Sequence, residues 1–116
     1  MDFPTTVAAV RNMTCRWPHA ETKLIEDKAN GSAVIQSLAQ EISGIIAVEP
    51  EGGKVSRAYA ISPRIEAGNV YLPHPAIAPW VYDFIEECAN FPNGRHDDWV
   101  DAMTQALLRL SVQPSL

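Results

Sequence analysis

The chain has 116 residues, 47% of them hydrophobic and 20% charged, the balance of one small globular domain with no room for two. Fourteen acidic residues against nine basic ones give a formal charge of −5. That excludes a protein that coats duplex DNA by charge alone but not a nuclease, where carboxylates gather to hold divalent metals. Cys15 and Cys88 lie far apart in the sequence and form neither a disulfide framework nor a zinc spacing. With no signal-like start and no apolar run near the roughly 20 residues of a membrane span, the expectation is a cytoplasmic protein.

From the N-terminus, Asp2 reads as a helix cap, with Pro4 in the first turn, where a missing N–H costs little. Phe3, Val7, Val10, Met13 or Thr14, and Trp17 recur at helical spacing, and Pro18 ends the helix. An apolar run follows and passes into charge at Glu26-Asp27-Lys28, predicting a buried strand from Thr22 to Glu26. Asn30-Gly31-Ser32 reads as a turn capping a helix over about Ala33 to Glu41, with Val34, Ile35, Leu38 and Ile42 facing the core. Gly44 then leads into a second buried strand, Ile45 to Val48. Strand, helix and strand so close together predict a βαβ unit with a parallel, right-handed pair, and so an α/β fold flanked by helices.

Beyond Gly53 the pattern predicts a helix from Lys54 to Ile61, with Lys54 and Arg57 one turn apart and Ser62-Pro63 as the interruption. Val70-Tyr71-Leu72 reads as a short strand. Trp80, Val81, Phe84, Ile85 and Cys88 mark an amphipathic helix, and Phe91-Pro92-Asn93-Gly94 a tight loop. The last helix is expected to begin near His96 or Asp97, with Val100, Met103, Leu107 and Leu110 inward and residues Val112 to Leu116 frayed. Trp17, Trp80 and Trp99 fall on apolar helix faces, which predicts core packing.

Two places concentrate carboxylates. Glu26-Asp27 closes a buried strand, the position where open α/β sheets build sites, although charge also resumes wherever a strand leaves the core. His96-Asp97-Asp98-Trp99-Val100-Asp101 sets three carboxylates at a helix start, more than capping the helix requires. Asp97 and Asp101 share a helix face and repel unless a cation lies between them, and oxygen-only ligands favour Mg2+ or Mn2+. His96 reads as a metal ligand, a proton carrier or a cap, the last two inseparable in sequence, whereas His19 and His74 read as surface loop residues. Lys54, Arg57 and Arg64 are candidates for contacting DNA phosphates.

The segment Leu24-Ile25-Glu26-Asp27-Lys28-Ala29-Asn30-Gly31 resembles the strand-end motif of phage terminase large-subunit nuclease domains. Gly52-Gly53-Lys54-Val55-Ser56-Arg57-Ala58, Glu66-Ala67-Gly68-Asn69-Val70-Tyr71-Leu72-Pro73, Phe91-Pro92-Asn93-Gly94 and His96-Asp97-Asp98-Trp99-Val100-Asp101-Ala102 follow in that family's order. The resemblance spans about residues 20 to 110. It implies a ribonuclease H-like fold that cuts concatemeric double-stranded DNA during phage packaging, with two divalent metals, Mg2+ or Mn2+, held by acids from separate elements. Glu26 matches the family's second acid, Asp97 and Asp98 the acids opening the final helix, and Asp101 a further recurrent acid. Glu26, Asp97 and Asp98 are thus the expected catalytic residues, and these three with Asp101 the expected metal ligands.

The family's first catalytic Asp stands on a strand ahead of the first helix, where this chain starts, and no Gly-rich ATPase loop with Gly-Lys-Ser/Thr occurs. The expectation is therefore a partial ribonuclease H-like domain with an incomplete site, working with the terminase ATPase portion and other packaging proteins in a bacterial host cell. In that family a further strand pairs with the strand at Thr22 to Glu26. Without it, the open edge invites a second copy of the chain. Two rivals stand beside this reading. One is an inactive prophage remnant serving as an assembly or DNA-binding module. The other is a restriction-type nuclease using the Glu-x-Lys of Glu26 and Lys28, which lacks an upstream acid.

Overall fold

The computed structural model describes residues 2–28, 30–50 and 52–112; Ala29, Glu51 and the tail beyond Val112, for which fraying is predicted, lie outside the described residues. The described residues build five helices and one two-stranded sheet. The chain divides into two compact units, Met1–Pro50 and Glu51–Leu116.

In the first unit, α1 (Phe3–Arg16) starts at Asp2, whose carboxylate accepts the Thr5 N–H at 2.9 Å. That bond holds the Asp2 pKa below the usual carboxylate value. The helix closes as the Trp17 N–H bonds to the Met13 carbonyl. β1 (Lys23–Glu26), α2 (Asn30–Leu38) and β2 (Ile45–Val48) form the predicted βαβ unit, with the strands parallel, Lys23 opposite Ile45 and Glu26 opposite Val48. Val7, Val34, Leu38 and Ile42 form the core, and Phe3, Val10, Ile25 and Ile45 pack around it.

The second helix begins three residues earlier than its apolar pattern predicts, and Gly31 is the reason. A Cβ there would lie 2.0 Å from the Glu26 carbonyl oxygen, so only glycine lets the first turn of α2 pack directly on the end of β1. Gly44 does the same before β2: its φ of 83° is left-handed, and a Cβ would meet the Glu21 carbonyl at 1.9 Å. The buried stripe of α1 is narrower than its periodicity predicts. Met13 and Trp17 are more than half exposed, because the C-terminal half of α1 stands over a shallow groove of about 320 Å³ beside Leu24 and Ile25 rather than over packed core.

The second unit consists of α3 (Lys54–Glu66), α4 (Trp80–Asn90) and α5 (Asp98–Val112). Its buried residues include Ile61, Ala78, Val81, Val100 and Thr104. The interruption expected at Ser62-Pro63 does not occur, and α3 runs through Pro63. Pro63 has no N–H for the Tyr59 carbonyl one turn earlier, and the Ser62 hydroxyl donates to that carbonyl instead, at 3.1 Å. The strand expected at Val70-Tyr71-Leu72 is absent: these residues pair with no strand among the described residues, and Tyr71 is almost fully exposed. The loop Phe91-Pro92-Asn93-Gly94 is as predicted and carries a cis Phe91–Pro92 bond. Trp80 and Trp99 are not core residues. They are nearly half exposed and flank Phe84, one edge-on at 6.1 Å and the other stacked at 6.2 Å. Leu110, expected inward, is exposed. Among the described residues, no helix is long and apolar enough to cross a membrane.

Candidate functional site

Glu26 is the last residue of β1 and half-buried. The ladder continues one bond further, from the Asp27 N–H to the Val48 carbonyl at 2.8 Å, which fixes the strand end. Asp27 is tied to the first turn of α2, where its carboxylate accepts the Ser32 hydroxyl. Among the described residues no hydrogen bond is made to the Glu26 carboxylate. Two neighbouring acids thus have different standing: Asp27 is engaged locally, and Glu26 is open.

The second cluster lies where α5 begins beside α3. Lys54 and Arg57, one turn apart on α3, meet Asp97 and Asp101, one turn apart at the start of α5, as two rungs of a ladder. The Lys54 Nζ is 2.9 Å from Asp97 Oδ1, and an Arg57 guanidinium nitrogen is 2.8 Å from Asp101 Oδ1. The outer rung is open to water and the inner rung is closed, with the Arg57 and Asp101 side chains 10% and 9% exposed. Arg57 also donates to the Gly52 carbonyl at 2.6 Å, and the Gln105 amide donates to the other Asp101 oxygen at 3.4 Å. The Arg57 Nε is buried with no partner among the described residues. The bond to Asp97 raises the Lys54 pKa above its usual value against a smaller opposing effect of burial, and the charges of Asp97, Asp101 and Asp98 add to the rise.

Asp98 opens α5, is exposed and makes no side-chain bond among the described residues. It lines a cleft of about 500 Å³ together with Asp83, Glu86, Glu87 and His96. Glu87 was not marked by any sequence signal, yet its carboxylate accepts the Val100 N–H at 2.8 Å and caps α5 from a neighbouring helix. Arg64 sits in the last turn of α3, ten residues and roughly 15 Å of helix from Lys54. The three cations proposed for DNA therefore do not form one row: Lys54 and Arg64 are exposed at opposite ends of α3, and Arg57 is turned inward.

The acids at the start of α5 suit a hard divalent cation by chemistry, but not as they are arranged. Among the described residues no group of three or more His, Cys, Asp or Glu is placed to hold a metal ion. Protein cations neutralise Asp97 and Asp101, which answers the repulsion that their spacing sets up. The acids left open are Glu26 in the first unit and Asp98 in the second.

A family model described as a terminase RNase H-like domain matches residues 1–110 of the chain. Comparison with curated proteins and with solved structures gave no match. The α/β architecture, with its parallel βαβ pair and flanking helices, is consistent with a partial domain of that kind.

Proposed function

This chain belongs to the terminase RNase H-like domain family, and from that premise we propose that it is part of a phage DNA-packaging nuclease that hydrolyses phosphodiesters of double-stranded DNA. The observation that carries the reading is the reach of the match, residues 1–110, which takes in both carboxylate clusters. The expected cofactors are Mg2+ or Mn2+, two per site, which supply positive charge to the phosphodiester under attack. Glu26, Asp97 and Asp98 are the proposed catalytic ligands. Asp101 fits the role of fourth ligand less well, because Arg57 already holds its carboxylate in a buried pair.

With two of the four acids neutralised by the chain's own cations, this chain offers part of a ligand set, and a further acid from another polypeptide or subunit completes it. Lys54 and Arg64 are the proposed phosphate contacts. The other proposed partners are the terminase ATPase portion, further packaging proteins and a second copy of the chain pairing along β1, all in the cytoplasm of a bacterial host.

A second reading, a DNA-binding or assembly module that does not cut, is favoured by the same two ion pairs, which balance the α5 acids without a metal. Nicking of supercoiled plasmid in Mg2+ or Mn2+, with Asp98→Asn and Glu26→Gln as controls, tests the two. Metal-dependent nicking that both substitutions abolish supports the nuclease. A folded protein that nicks in neither ion fits an incomplete nuclease half as well as the module, and restoring the family's upstream strand then separates the two: nicking regained supports the nuclease, and none regained overturns it.

A further inference from the structure

Of the asparagines in the chain, Asn30 and Asn93 are followed by glycine. An asparagine side chain is open to attack at its carbonyl carbon by the backbone nitrogen of the next residue. A following glycine favours that step, because it has no Cβ to hinder the approach and leaves the backbone free to turn. Asn12, Asn69 and Asn90 precede Met13, Val70 and Phe91, whose side chains crowd the attacking nitrogen. The fold treats the two Asn-Gly pairs in opposite ways.

Asn30 opens α2, and helical backbone angles hold the Gly31 nitrogen away from the Asn30 side chain. The Gly31 N–H is engaged by the Lys28 carbonyl at 2.9 Å, and a Cβ on Gly31 would lie 2.0 Å from the Glu26 carbonyl oxygen, so the residue has no room to turn. Asn93 stands in the loop between α4 and α5, outside any helix or strand, and is exposed. Its own N–H bonds to the Asn90 carbonyl at 2.8 Å. Its side-chain amide and the Gly94 N–H make no hydrogen bond among the described residues.

We propose that Asn93-Gly94 is a site of spontaneous covalent modification, deamidation through a cyclic imide, from which the fold protects Asn30-Gly31. The Gly94 nitrogen forms a bond to Asn93 Cγ as the Cγ–Nδ2 bond breaks. The Gly94 N–H proton passes to solvent, and Nδ2 takes one up and leaves as ammonia. Water then opens the imide at either carbonyl carbon, giving aspartate or isoaspartate, with nothing oxidised or reduced. Either product places a new carboxylate next to Gly94, which lines the same cleft as Glu87, His96 and Asp98. Isoaspartate also routes the main chain through the side-chain carbons, adding one atom to the connection between α4 and α5.

The test keeps the full chain folded in mildly alkaline buffer, with circular dichroism as the check, and follows both sites by peptide mapping and mass spectrometry. The same chain in guanidinium chloride is the reference, where both sites should convert at similar rates. In the folded chain Asn93 should convert, while Asn30 lags by roughly tenfold or more, because α2 must give up a backbone bond and its packing on β1 before Gly31 can move. Asn93→Gln should abolish conversion in the loop; it is preferred to a change at Gly94, where a Cβ would lie 3.0 Å from that of Asn90. Asn93 retaining its amide in the folded chain would overturn the site. Asn30 keeping pace with Asn93 there would overturn the protection.

Discussion

Replacing Arg57 by Met keeps most of the stem and deletes the charge, leaving the Asp101 carboxylate stranded in a site where it is only 9% exposed. Both partners are about nine-tenths covered, so solvent screens the pair little, and the loss falls in the range for breaking a buried ion pair, about 3–5 kcal/mol. Asp101→Asn should cost a similar amount, since it leaves the guanidinium unpaired. Small domains have only about 5–15 kcal/mol to lose, so either change removes much of the stability of the unit Glu51–Leu116. The pair is also imperfectly satisfied, because the Arg57 Nε has no partner among the described residues. Replacing both partners with apolar residues, Arg57→Met with Asp101→Leu, should therefore recover most of what either single change loses. Urea unfolding followed by Trp80 and Trp99 fluorescence in a Trp17→Phe background reads this directly. A 3 kcal/mol loss moves the midpoint by about 1.5 M if the slope is about 2 kcal/mol per M. The reasoning fails if Arg57→Met costs under about 1 kcal/mol, as an exposed pair would, while DNA binding weakens with a smaller salt dependence. Arg57 would then be a phosphate contact and not a brace.

Three further substitutions probe local geometry. Gly31→Ala places a Cβ 2.0 Å from the Glu26 carbonyl, a backbone atom that cannot swing aside. It should destabilise the first unit by about 1–3 kcal/mol, and an unchanged urea midpoint would refute the close approach. Glu87→Ala should cost about 1 kcal/mol and speed hydrogen exchange at the Val100 amide, whereas unchanged exchange there would count against capping across helices. The Asp2 cap should be acid-sensitive. Its folded pKa is depressed, so the stabilisation is complete above the unfolded value of about 3.9 and disappears as pH falls through the lower folded value. Asp2→Ser keeps an uncharged cap, so its helicity relative to the native chain should rise on going from about pH 6 to about pH 2. A difference that stays constant with pH would sink that argument.

The βαβ unit was legible because its signals are local: two short apolar runs, a helical stripe at Val34, Leu38 and Ile42, and glycines at both junctions. The carboxylate clusters were legible for the same reason, since three Asp in five residues exceed what a helix start requires. What answers those charges was harder to read. Lys54 and Arg57 are one turn apart and so are Asp97 and Asp101, but two matched spacings become a ladder only when α3 lies beside α5. Glu87 carried no signal at all, because a cap that arrives from a different helix leaves no trace in the sequence next to the helix it caps. Pro63 misled because its usual effect was offset by Ser62, a side-chain bond that hydrophobic pattern does not encode. The tryptophans misled because periodicity identifies an apolar face but not whether enough chain exists to cover it. In a unit of three helices, Trp80 and Trp99 remain at the surface.

The way the chain uses its cations limits how it can hold DNA. Of nine basic residues, Arg11, Lys54 and Arg57 are engaged by Glu41, Asp97 and Asp101. Lys23 donates to the Glu21 and Ser43 carbonyls, and Arg16 lies over the Trp17 ring at 5.9 Å. Lys28, Arg64, Arg95 and Arg109 carry no ion pair among the described residues. If those alone met phosphates, the logarithm of DNA affinity would fall against the logarithm of salt with a slope no steeper than about −4, because each neutralised phosphate contributes about −0.9. Binding of plasmid or duplex DNA measured across a salt series without divalent metal should therefore be weak and shallow. Mg2+ at fixed ionic strength should strengthen it if bound ions add positive charge to the interface, as the nuclease reading expects. A slope near −8 without metal would mean that the engaged cations also leave their carboxylates for DNA, and the ladder between α3 and α5 would then be a resting arrangement rather than a scaffold.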